Sequence, residues 1–88
     1  NQGLRAARQL VGASDRDREL ERYLQALGAR ILQQRKERGW SQQELALRAG
    51  LDRTYLSGVE NGKQNVTLGA VTRVAHALGL TIDEMLGR

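Results

Sequence analysis

Residues 39–62, GWSQQELALRAGLDRTYLSGVENG, constrain the fold of this chain more than any other stretch. Two short helical patterns flank a turn at Gly50-Leu51-Asp52. Ser41 has the short side-chain oxygen of an N-cap, and Glu44 stands three residues on to complete a capping box. Leu45 and Ala49, four apart, give the first pattern one apolar side. Gly50 follows where the chain must leave the helix with positive φ, a conformation that glycine adopts without a Cβ penalty. Leu51 and Asp52 then read as a staple residue and an N-cap, so a second helix starts at Arg53. Asn61-Gly62 stops it.

The second pattern divides into two faces. At about 100° per residue, Tyr55, Leu56 and Val59 share one arc and turn toward a core. Arg53, Thr54, Ser57, Gly58 and Asn61 share the opposite arc. That arc carries a guanidinium, two hydroxyls, an amide and a residue with no side chain, which allows close approach of a nucleic acid. The pair therefore reads as a helix-turn-helix whose second helix, residues 53–61, enters a DNA major groove. The plainer reading is a solvated face on a small helical hairpin.

The flanking sequence supplies three further helices. Leu20, Leu24, Leu27 and Ile31 recur at spacings of four, three and four. Arg35 continues that stripe, and a charge in line with a core stripe needs a partner. Glu60 is the acid at a matching border position, which predicts an Arg35–Glu60 ion pair between the two helices. Gly39 ends the first helix, and Trp40 offers a large apolar packing residue before Ser41. Beyond Gly62, Lys63, Gln64, Asn65 and Val66 form a polar loop suited to gripping a phosphate. Thr67 caps a helix with the stripe Val71, Val74, Ala75 and Leu78, and Gly79 terminates it. Leu80, Thr81 and Glu84 repeat the staple and capping box. Ile82, Met85 and Leu86 make the last helix apolar on one side, so it either closes the core or joins a dimer interface. His76 lies off its helix stripe and is expected in solvent.

Residues 1–22 read as an N-terminal extension and residues 23–88 as the folded domain. Leu4, Ala7, Leu10 and Val11 have loosely helical spacing, interrupted by Gly3 and Gly12. Ser14 is a possible N-cap for the alternating charges of residues 15–22. Residues 1–13 are open to two readings, a floppy arm or an arm that reaches the DNA backbone or a partner subunit through Arg5 and Arg8.

The 88 residues allow one small all-α domain, five helices with the first open to extension toward the N-terminus. The net charge of +4 is arginine-weighted, with Lys36 and Lys63 the only lysines, and favours polyanionic partners. No cysteine is present and only one histidine, so neither a metal site nor a cofactor is expected. No Gly-rich phosphate loop appears, and a hydrolase triad would need His76 on a solvated face, so the expectation is no enzyme. No apolar run reaches the ~18 residues of a membrane span. Without a secretory segment in residues 1–22, the expected location is cytoplasmic. The chain begins with Asn rather than Met, which reads as a fragment or a processed product.

Three strings carry a resemblance: RILQQRKERGWSQQELALRAG, LDRTYLSGVENGKQNVTL and ALGLTIDEML. Through them residues 27–86 resemble the Cro and phage-repressor type of helix-turn-helix, the XRE family. Within it, residues 52–67 look especially like the controller proteins of restriction–modification systems. The resemblance implies a compact, lambda-repressor-like five-helix domain that binds double-stranded DNA as a homodimer and regulates transcription. By matching positions it implies base reading by Gln42, Arg53, Thr54 and Ser57. It implies backbone contacts by Ser41, Asn61, Lys63 and Asn65, and by Tyr55, which faces inward by periodicity alone. Arg35 and Glu60 match the family's inter-helix ion pair, and Ile82, Met85 and Leu86 are the dimer candidates. Gly58 departs from it, standing where some phage repressors carry a base-contacting glutamine. Two other functions use the same fold: a protein-interaction or antitoxin-like module, and the DNA-binding end of a longer repressor.

Overall fold

The computed structural model describes the backbone of residues 2–87 and the side chains of residues 15–87. Five helices follow one another with no strand among the described residues: α1 (Gln2–Glu37), α2 (Gln42–Ala49), α3 (Arg53–Glu60), α4 (Leu68–Leu78) and α5 (Ile82–Met85). α1 runs unbroken through Gly12 and Ser14, so no new helix begins at Ser14 and the backbone marks no boundary at residues 22–23. A glycine inside a helix costs about 1 kcal/mol, which a long helix tolerates. The expected contacts of Arg5 and Arg8 lie outside the described side chains.

α3, α4 and α5 pack on α1, and α2 packs on α3 and α4. The stripe of α1 accordingly changes character along its length. Ile31 and Leu27 are 0% and 4% exposed, while Leu20 is 43% exposed beside an exposed Tyr23. Leu45, Leu56, Val74 and Met85 complete the centre of the core. Met85 is fully buried within this one chain, so of the two roles open to it from sequence, closing the core or joining a dimer interface, it takes the first. Ile82 and Leu86 remain partly exposed. His76 is exposed.

The caps explain why such short helices start where they do. Ser41 Oγ accepts from the Glu44 N–H at 3.0 Å. The Glu44 carboxylate does not return the bond, because Arg48 takes it at 2.7 Å, and the expected capping box is only half formed. Asp52 accepts from the N–H groups of Thr54 and Tyr55, and Thr67 from that of Ala70. Thr81 and Glu84 form the full reciprocal box. The hydrogen bond from the Thr81 backbone, and then the one from its side chain, hold the Glu84 carboxyl below its ordinary value.

Close backbone contact sets the distance between α1 and α3. A Cβ on the buried Gly28 would lie 2.3 Å from the Val59 carbonyl oxygen and 2.7 Å from that of Glu60. At Gly62, where φ is +71°, a Cβ would lie 2.9 Å from the Gln25 Cα. Both glycines let the end of α3 rest directly on α1. Gly28→Ala therefore forces two backbones apart, and we expect a loss of about 1–3 kcal/mol or more in urea unfolding. An alanine variant as stable as the parent would show that α3 does not rest on α1 in this way.

Candidate nucleic-acid interface

The outward face of α3 is built from its inward one. Leu56 and Val59 are buried at 0% and 3% exposure, which turns Arg53 and Thr54 to solvent and leaves Ser57 and Gly58 half-exposed. Arg53, Thr54 and Ser57 line one groove of about 190 Å³, and Gln42 at the start of α2 forms its other wall. All four residues expected to read bases thus meet in one concavity, although they come from two helices. The side chains of Arg53, Thr54 and Ser57 make no hydrogen bond among the described residues and are free to meet a ligand.

Gln42 is held differently. Its Nε2 donates to Glu60 Oε1 at 2.9 Å. That carboxylate also receives Arg35, Nε to Oε2 at 2.7 Å and Nη2 to Oε1 at 3.0 Å. Arg35 Nη1 donates in turn to the Trp40 carbonyl at 2.7 Å. Arg35 and Glu60 are 8% and 7% exposed, so this is a buried, bidentate pair with its spare valences used. It connects α1 to the last turn of α3, and through Gln42 to the first turn of α2. One wall of the groove is therefore fixed by the same charge pair that fixes the other.

The remaining expected residues do not line this groove, and Asn65 borders a separate depression with Leu20, Tyr23 and Leu68. Ser41 is exposed at the N-terminus of α2. Asn61, Lys63 and Asn65 are exposed beyond the end of α3. Tyr55 is not brought to the groove. It packs partly against the core, and its hydroxyl accepts from the Thr67 N–H at 3.4 Å. Trp40 is half-buried against the core, with the Arg48 guanidinium 4.2 Å from its ring centroid, so it serves packing.

Several supporting residues had no clear sequence signal. Arg38 Nη2 donates to the Leu78 carbonyl at 2.6 Å, and Arg73 Nη1 to the Gly50 carbonyl at 3.2 Å. Both satisfy carbonyls near helix ends, which an arginine reaches from another helix only once the fold is formed. Gly28 did leave a trace, since a glycine inside a helical pattern usually has a packing cause. No group of acids and histidines suited to a metal occurs among the described residues. No described helix is long and apolar enough to cross a membrane.

Residues 31–85 match a family model described as helix-turn-helix. A hypothetical transcription factor of Neisseria meningitidis is 46% identical over 52 residues, 59% of this chain and 49% of that protein. The chain thus spans about half the length of that curated relative. The crystal structure of the restriction-modification controller protein C.AhdI from Aeromonas hydrophila superposes with a TM-score of 0.69 at 40% identity, covering 70% of this chain and 94% of that one. The biofilm master regulator SinR, crystallised in complex with DNA, superposes with a TM-score of 0.65 at 38% identity, covering 68% and 97%.

The charge pair makes a sharp prediction for stability. Glu60→Ala leaves the Arg35 guanidinium buried without its counter-charge, and we expect a loss of about 3–5 kcal/mol. Replacing both partners, as in Arg35→Met with Glu60→Leu, should restore much of that loss while freeing Gln42. Chemical denaturation of the single and double variants measures both effects. Equal loss in the single and double variants would mean that the uncompensated charge is not the cause.

Proposed function

The chain belongs to the helix-turn-helix family matched over residues 31–85, and from that premise we propose that it is a sequence-specific, double-stranded-DNA-binding transcription regulator. The observation that carries this reading is the groove shared by Gln42, Arg53, Thr54 and Ser57. It lies on a helix whose outward face holds only small or hydrogen-bonding side chains and one guanidinium. Arg53 would donate its fork to O6 and N7 of a guanine, the pairing that best matches a planar bidentate donor. Thr54 and Ser57 would contact neighbouring base edges, with Gln42 buttressed by Glu60 at the groove's other wall. Ser41, Asn61, Lys63 and Asn65 would hold the phosphates on either side and set the register of α3. The neighbour crystallised with DNA supports this class of ligand. The activity is binding, with no catalytic step and no cofactor, and its setting is the cytoplasm.

The regulator would act as a homodimer. Ile82 and Leu86 border a largely apolar depression of about 150 Å³ together with Leu20, Tyr23, Val66 and Leu68. Leu68 is 65% exposed, an uneconomical place for a leucine in an isolated chain. A twofold across this face would present two copies of α3 to successive major grooves, about 34–36 Å apart on a pseudo-palindrome.

A binding titration against salt tests the reading, with a duplex selected from a random pool set beside unselected duplex and the oligomeric state measured in parallel. We expect two protomers per selected site and a large specificity ratio. Arg53→Ala should cost about 1–3 kcal/mol on the preferred site and flatten discrimination at one base pair. Lys63→Ala should weaken all duplexes alike and reduce the salt slope by about one. Equal, salt-sensitive binding to both duplexes would overturn sequence-specific regulation.

A further inference from the structure

Gly58 leaves a gap on the outward face of α3. It lies four residues after Thr54 and three before Asn61, on one exposed stripe of the helix. A second side chain lies against the place that its own would occupy. An ideal Cβ at Gly58 would stand 3.3 Å from both Cβ and Oε1 of Gln64. The backbone makes this placement reproducible. The Gly58 carbonyl accepts from the N–H of Lys63 at 3.0 Å and from that of Gln64 at 3.2 Å, folding the loop back over the end of α3. Gly62, with φ at +71°, supplies the reversal.

The Gln64 amide is half-exposed and has no hydrogen-bond partner among the described residues. Gln42 contrasts with it, because its amide already donates to Glu60. An amide pinned at its backbone, free at its head and laid on the outward stripe of α3 is poised for a ligand on that face. We propose that Gln64 is a specificity-determining residue, supplying from the loop the base contact that position 58 cannot make. Its amide presents one donor and one acceptor side by side, which matches N7 and N6 of adenine in the major groove. Gly58 then leaves Gln64 room against the helix: a Cβ there would require the Gln64 side chain to give by a few tenths of an ångström.

This inference rests on the DNA-binding reading above, and the experiment separates the two. Bound sequences are selected from a randomised duplex pool by the parent chain, by Gln64→Ala and by Gln64→Glu, and binding to single-base variants of the parent site is then titrated. For the parent we expect an A·T pair to be preferred at a position that Arg53 does not govern. Gln64→Ala should lose roughly 5- to 150-fold of discrimination at that position, with the Arg53-dependent position unchanged. Gln64→Glu should shift the preference toward cytosine, whose N4 donates to a carboxylate, a change that a merely structural role for Gln64 would not produce. Circular dichroism of both variants checks that the fold is retained. If both variants keep the parent's base preferences, or weaken binding equally on every duplex, the role of Gln64 is overturned while DNA recognition by Arg53 stands. If the parent itself selects no sequence, the DNA-binding reading falls first.

Discussion

The buried ion pair of Arg35 and Glu60 governs how the rest of this small domain is arranged. Burying two charges is costly, and the cost is offset here by geometry rather than by proximity alone. Two parallel N–H···O bonds, one at 2.7 Å and one at 3.0 Å, add direction to the close contact of α1 and α3. A third bond from Arg35 reaches the Trp40 carbonyl and fixes the entry to α2. A fourth, from Gln42, ties the start of α2 to the same carboxylate. α2 and α3 have eight residues each, too few to be stable as isolated helices in water. Their orientation must come from tertiary contacts, and this network supplies one directional set. The apolar residues Leu45, Leu56 and Ile31, each at 0% exposure, supply the bulk of the packing around it.

What the sequence made legible was mainly local chemistry. Ser41, Asp52, Thr67 and Thr81 are caps by their side-chain oxygens, and each cap is present in the structure. Gly50 and Gly79 end helices at φ +67° and +72°, a conformation that other residues adopt rarely. Arg35 could be paired with Glu60 because a charge aligned with an apolar stripe needs a partner. The inward and outward arcs of α3 followed from periodicity, and so did the meeting of Arg53, Thr54 and Ser57 on one face. The matched family and the structural neighbours agree with the fold class that these signals gave.

What stayed hidden depends on where helices stop touching one another. Leu20 and Leu27 occupy equivalent places on one stripe, yet only Leu27 is buried by the helices beside it. Periodicity shows the face and says nothing about the reach of the neighbour. Glu44 has two competing partners, Ser41 and Arg48, and the nearby guanidinium wins over the backbone N–H. Met85, Ile82 and Leu86 look alike as an apolar cluster, but a four-residue helix turns one of them fully inward. Gln64 looked like ordinary loop polarity because its position over Gly58 exists only once Gly62 reverses the chain.

The contact of Gly28 with the Val59 and Glu60 carbonyls has a consequence for how such a domain can diversify. Part of the seat of α3 on α1 is made by main-chain atoms, which are the same whatever side chains the outer face carries. Residues 53, 54, 57 and 64 can therefore be exchanged without altering the seat on which the helix rests. The inner and outer faces of this eight-residue helix can thus vary separately. Substitutions on the outer face leave this contact untouched, while position 28 has no room for a side chain.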